Sequence, residues 1–437
     1  MVCAKLKFKF ALFNSITIKK RQLLENVLSL SLVQGTNLLL PLITLPYLVR
    51  VLGADKYGLI AFAQAFTQYF VVITEYGFVH TAPRRVSVHR DNDVVLHEIF
   101  NSIMIIKILL LLASFIICFL IIICTPRFRY DANIYAISFL IVLGNVLFPV
   151  WFFQGMEKMK YITLLNLISK IFFTISIFVL IKNTSDYIYV PLLNSLGLIL
   201  TGVISFFIIT QKMDIKLKIP SKQYVFEELK EGWHVFLGMF SVNLFSSTNV
   251  VILGIFANNT IVGYFKAGDT LIRSVIGLLQ PINNALYPHI SRLAISSKEQ
   301  ATNLIRKLLL GYGSLSFFIS FILFFFATDI VHIAFGRQYT ETITVVKILS
   351  PLPLIIGINS ILGLQGLLAF GYNKLFSRTV MFSAILNLLL AFVLTPLYKH
   401  IGISYSLLFT EIFTLIFVSY IIKIYAKNSP LYNWTVK

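Results

Sequence analysis

The sequence predicts an all-α polytopic membrane protein with about twelve transmembrane helices, on three observations. Hydrophobic residues make up 57% of the 437, and the mean hydropathy is +0.84. Charged residues are only 13%, about half the share of a soluble domain. The apolar residues also come in runs of roughly 20, the length that crosses a bilayer as a helix, parted by short polar connections. No soluble core could hide this much apolar surface, so lipid must solvate much of it.

Taken in order, spans are expected near 26–49, 58–79, 99–123, 133–153, 161–181, 188–210, 233–256, 261–287, 304–328, 342–367, 376–397 and 401–424. Lys and Arg in the connections fix the orientation. With the N-terminus in the cytoplasm, 25 of the 37 lie on the cytoplasmic side, seven on the other and five inside spans. An even number of spans then leaves both termini cytoplasmic. No small-residue cleavage site follows Lys19, Lys20 and Arg21, so the first span is expected to be its own insertion signal. The net charge of +19 sits in these loops rather than in one patch with interleaved aromatics. It reads as topology and contact with anionic lipid head groups and argues against nucleic acid. Cys3, Cys118 and Cys124 form no CxxC or His/Cys cluster, so no metal site is expected.

The connection 211–232 carries five lysines with Glu227, Glu228 and Glu231, and is expected to be an amphipathic helix on the inner surface. It links a six-helix lobe, 1–210, to a second lobe and tail, 233–437. The halves repeat. Gly58 and Gly263 open spans two and eight, Pro83 and Pro288 close them, and each pair is 205 residues apart. The same offset aligns Gln64 with Asp269, Gln68 with Arg273 and Glu75 with Gln280. Parallel six-span repeats suggest two lobes around a central cavity, an architecture of alternating-access transporters.

Polar residues occur where they are expensive. A charge at mid-bilayer costs about 2.5–3.5 kcal/mol on insertion scales. Lys266, Asp269, Arg273, Gln280 and Asn284 fall on one face of span eight. Tyr57, Gln64, Gln68 and Glu75 make a similar stripe on span two, and Asn26, Gln34 and Asn37 mark span one. Such stripes should face a wet cavity. Lys107, Lys170, Lys347 and Glu411 are further charges at depth; Lys266 and Lys347 lie close enough to the outer end to snorkel. Five basic residues against Glu75, Asp269 and Glu411 make the cavity cationic, which suits an anionic substrate. The three carboxylates could couple an ion or merely neutralise a cation. Pro41 and Pro46 in span one, with Pro351 and Pro353 in span ten, are candidate hinges or static kinks. Arg50 ends span one; Arg84 and Arg85, at the inner end of span two, are read as topology. No catalytic constellation and no GxxxxGK loop occurs. The reading is therefore of a transporter without cofactor, driven by an ion gradient, the substrate gradient or the membrane potential.

The stretch from Asn37 through Pro41, Pro46 and Arg50 to Gly53, with Tyr57-Gly58, resembles the opening of bacterial O-antigen flippases. So do Glu75-Tyr76-Gly77, Pro83-Arg84-Arg85, the run from Trp151 through Gln154-Gly155 to Glu157, Gly263-Tyr264 and Tyr287-Pro288. The resemblance covers about residues 22–425 and is to the polysaccharide transporter branch of the multidrug/oligosaccharidyl-lipid/polysaccharide (MOP) superfamily. It implies two six-helix lobes around a cationic cavity. It also implies transfer of an undecaprenyl-pyrophosphate-linked repeat unit from the inner to the outer leaflet of the bacterial inner membrane. Arg50, Lys107, Lys170, Lys266, Arg273, Gln64 and Gln68 would bind substrate, and polymerase and chain-length proteins of the same pathway would be partners. The alternatives are a lipid II flippase, which commonly carries two more spans, a multidrug exporter, which would favour carboxylates in the cavity, and a polysaccharide polymerase, which would show a long outer loop.

Overall fold

The computed structural model describes residues 2–425; the side chains of 2–34, 37–39, 238, 240–246 and 425 lie outside what is described. Cys3, Asn26, Gln34 and Asn37, singled out above, are therefore outside the described side chains. The described residues are almost wholly helical, and no strand occurs among them. Eight helices among them are long and apolar enough to cross a membrane. The helix Asn259–Ser296 is long enough as well; Lys266, Asp269 and Arg273 lower its apolar character.

Two long helices break where the sequence placed connections. Val2–Glu75 is interrupted at Gly53, with φ 73°, a left-handed conformation that glycine adopts without a Cβ penalty. Asn373–Tyr425 is interrupted at Lys399, with φ 51°. The connection after span six has no regular secondary structure over Asp214–Ser221, and helix resumes at Lys222 and runs unbroken to Phe256. The amphipathic stretch is thus the first turns of a longer helix. Pro351 and Pro353 stand at a junction: one helix ends at Leu349 and the next, Leu352–Ser360, begins, where a missing N–H costs nothing. It leads into a π-helical stretch, Ile361–Leu368.

The chain forms two compact units. The first comprises Met1–Leu40, Phe70–Leu180 and Ile188–Met239. Its core holds Phe78, Val86, Phe100, Trp151, Phe152 and Phe153, with the Phe100 and Phe152 rings meeting edge to face at 5.1 Å. Two segments of the family resemblance touch here: a Cβ on Gly155 would collide with Val86 and the Pro83 carbonyl. The connecting helix docks on the same unit through Tyr76, whose ring stacks on Phe236 at 5.1 Å. Arg85, far from being a bare topology signal, bridges Glu227, Glu228 and Glu231 at 3.7, 3.3 and 3.5 Å.

The second unit comprises Pro41–Tyr69, Ile181–Tyr187 and Phe240–Lys437. In it the sequence repeat becomes a contact. A Cβ on Gly58 would strike the Asn259 carbonyl, and one on Gly263 the Ala54 carbonyl. Ala54 and Asn259 are themselves one repeat apart, as are Asp55 and Thr260, whose Oδ1 and Oγ1 lie 3.5 Å apart at a separation of 205. Reciprocal contacts of this kind are the mark of a two-fold relation, here between two helix starts of one chain. Further along, Asn387 donates to Ser406 and Thr410, both at 3.3 Å, and Ser383 and Thr414 are 2.6 Å apart, a polar ladder of the kind that joins helices in lipid. Leu109, Leu112, Phe115 and Ile116 in the first unit, and Phe317, Phe318, Phe321 and Phe325 in the second, stay exposed, as residues solvated by acyl chains should.

Candidate substrate site

The charges foreseen at depth are present and mostly paired. In the second unit Asp269, with a side chain only 6% exposed, accepts from Arg273 Nε at 2.6 Å and from Lys266 Nζ at 3.3 Å. The spacing is i+4 and i−3 on one helix, so the three reach each other without any partner helix. One carboxylate for two cations leaves a surplus positive charge. Tyr57 lies beside Asp269 and Thr270. Glu411 accepts from Asn359 Nδ2 at 2.8 Å and lies within electrostatic reach of Arg273.

A cavity of about 300 Å³ adjoins this cluster, lined by Gln64, Gln68, Ala61 and Ala65 on one side and by Ser247, Val250 and Lys266 on the other. The structure therefore brings Gln64, Gln68, Lys266, Asp269 and Arg273 together. Arg50 sits elsewhere in the same unit. Its guanidinium donates to the Ile333 carbonyl and, at 3.0 Å, to that of Ala334, closing the C-terminal end of the helix Ala327–Phe335, where a cation is favoured. Lys347 is exposed.

The first unit holds the other pair. Lys107, fully buried, donates to Glu75 Oε1 at 2.8 Å, and Glu75 Oε2 is buried with no partner. Lys170 is half-buried and has no ion-pair partner among the described residues.

The sequence reading passed over Asn359, Asn283 and Gln365. Asn283 Nδ2 donates to Ser360 at 3.2 Å and Gln365 Nε2 to the Asn283 carbonyl at 2.9 Å. Asparagines near prolines in spans eight and ten were the available signal; the π-helical turn that aims Gln365 has none. Among the described residues no group of His, Cys, Asp and Glu could hold a metal ion.

Solved structures share this architecture. A lipid II flippase, MurJ, in an inward closed conformation has a TM-score of 0.72 at 15% identity, over 91% of this chain and 87% of that one. An inward-facing multidrug resistance MATE family transporter of the MOP superfamily has a TM-score of 0.68 at 13% identity, over 90% and 96%. The fold is thus MOP-like, that of a multi-pass membrane protein. A protein of Escherichia coli (strain K12) described as "Putative O-antigen transporter" is 34% identical over 392 residues, 90% of this chain and 94% of that one. The chain belongs to the family described as polysaccharide biosynthesis protein, which matches residues 23–294.

Proposed function

We propose that this protein flips an undecaprenyl-pyrophosphate-linked O-antigen or related polysaccharide repeat unit from the cytoplasmic to the periplasmic leaflet of the bacterial inner membrane by alternating access. The observation that carries the reading is the Lys266–Asp269–Arg273 cluster, in which two cations share one carboxylate beside a polar cavity. A surplus positive charge kept inside an apolar span at this cost suits an anionic head group. The 34% identity to a protein named as an O-antigen transporter supports the same substrate class.

In this reading the chain works as two lobes of six spans, 1–210 and 233–437, joined by 211–232, with both termini in the cytoplasm. The polyprenyl tail stays in lipid while Arg273, Lys266, Lys170 and Lys107 meet the pyrophosphate by charge-assisted hydrogen bonds. Arg50 supports the site from the end of its helix. Glu75, Asp269 or Glu411 takes the proton or cation that resets the cycle. Pro41, Pro46, Pro351 and Pro353 are the hinges. No cofactor is involved; membrane lipids, polymerase and chain-length proteins are the partners.

The test is deletion of the gene in its host, with extraction of polyprenyl-linked intermediates. Repeat units that accumulate and resist a periplasmic glycosidase are the expected result. Units open to the periplasm but unpolymerised would move the step to polymerisation, and no accumulation would favour drug export. Restoring the gene with both Arg273→Ala and Lys170→Ala should fail to restore surface polysaccharide; full restoration would overturn the site.

A further inference from the structure

We propose that the Gln64–Gln68 cavity is the part of the substrate site that reads sugar, seating one hydroxyl-rich ring, and that Ala61 and Ala65 set the size of ring it admits. The inference rests on the transport reading above and divides that site into two chemically different parts.

Size is the first reason. At about 300 Å³ the cavity is at the small end of ligand sites, which span about 300–1,000 Å³. That is room for a single ring, not for a whole repeat unit.

The lining is the second. Gln64 and Gln68 are one helical turn apart and present two carboxamides to the same space. Each carboxamide offers two N–H donors and a carbonyl with two lone pairs. A sugar hydroxyl both donates and accepts, so adjacent hydroxyls on a ring match such a pair; a phosphate oxygen, which only accepts, would leave both carbonyls unused. Ser247 adds a hydroxyl from across the cavity, while Val250 and the two alanines offer an apolar face for ring C–H groups.

The third reason is that no described group of the protein engages these carboxamides. Some other amides within the spans bond internally: Asn145 donates to the Ile141 carbonyl and Asn166 to that of Ile162, both at 2.9 Å, and Asn387 bonds Ser406 and Thr410; Asn249, next to the cavity-lining Val250, is buried with neither amide atom paired. Gln64 and Gln68, half-buried, have no hydrogen-bond partner among the described residues. The one cation at the cavity wall, Lys266, is meanwhile engaged by Asp269 at 3.3 Å. That is the longer of the carboxylate's two contacts, so part of the surplus charge stays with Lys266 at one edge of the cavity, and the two carboxamides form the neutral part of its wall.

Ala61 and Ala65 are also one turn apart, on the same helix face as the glutamines. Any longer side chain there would grow into the cavity. A leucine at 65 should exclude a ring carrying an N-acyl substituent before it excludes a bare hexose.

The test uses full-length protein in detergent–lipid micelles and two probes: repeat-unit-linked polyprenyl pyrophosphate extracted from the deletion host, and polyprenyl pyrophosphate bearing no sugar. Wild type should bind the glycosylated probe more tightly. Gln64→Leu/Gln68→Leu should weaken the glycosylated probe about tenfold or more, a difference well within what lost hydrogen bonds supply, and the bare probe by less than about twofold. Ala65→Leu should do the same through shape. Equal weakening of both probes would make the cavity part of the pyrophosphate site, and no weakening of either would make it a mere void; each result overturns the sugar assignment. Wild type binding neither probe would instead overturn the transport reading itself.

Discussion

At Asp269 a single carboxylate is asked to hold two cations, and the geometry says how unequally it does so: Arg273 at 2.6 Å, Lys266 at 3.3 Å. All three residues lie within seven positions of one helix, so the sequence alone foretold the cluster. Glu75 and Lys107 are a different case. They come from separate helices, and the stripe that marked Glu75 and the depth that marked Lys107 did not say that they meet. Removing one partner of a buried pair strands the other charge, at a cost of about 3–5 kcal/mol, whereas replacing both with apolar residues is often neutral. Glu75→Gln should therefore lower stability by about that amount, and Glu75→Leu/Lys107→Leu should regain most of it, as thermal unfolding in detergent would measure. A double-variant loss equal to the sum of the losses in Glu75→Leu and Lys107→Leu alone would show that the pair carries no coupling.

Among elements, glycines separate cleanly by what surrounds them. Gly58 and Gly263 allow two helix starts to touch backbone to backbone; small residues are what permit such approach in lipid. Gly58→Ala should destabilise by about 1–3 kcal/mol, the cost of overpacking. Gly311, inside the helix Lys298–Phe325, has nothing within reach of an added Cβ. Gly311→Ala should stabilise by about 0.5–1 kcal/mol through helix propensity. The two variants, compared in one unfolding assay, should move in opposite directions. Lys399 holds a left-handed φ of 51° without being glycine; Lys399→Gly should relieve about 1 kcal/mol or more of backbone strain, visible as a raised unfolding midpoint. The offset of the repeat was legible as paired glycines. That the paired residues would pack on each other was not, because a repeat in sequence carries no distance.

For the molecule as a whole, pH acts outside the spans through the docking of the connecting helix. Glu228, fully buried against Arg85, has its carboxyl pushed up to about 7. Burial is the main cause; Arg85 opposes it, and Glu231 and Glu227 add to it. The folded state therefore holds this proton more tightly than the unfolded chain does. The contribution to stability is fully present below the ordinary glutamate range, near pH 4.5, and is lost as pH rises to about 7. Hydrogen exchange across Lys222–Glu231 should accordingly speed up over that window relative to the rest of the unit. Glu228→Gln should flatten the response, and a response unchanged in that variant would assign it to another group.

The sequence by itself determined that lipid is the solvent, where the helices break and which residues are costly to bury. These follow from transfer free energies that each residue contributes locally and that sum along a span. Tertiary structure alone decided the partners. It turned Arg50 from a free cation into the closure of a distant helix end, gave Arg85 three glutamates, joined Lys107 to Glu75 and packed Pro41–Tyr69 with the C-terminal half of the chain. It also opened the cavity between two glutamines and a serine almost 180 positions away. Such choices depend on which surfaces fit at close range, and hydropathy along a chain holds no record of that.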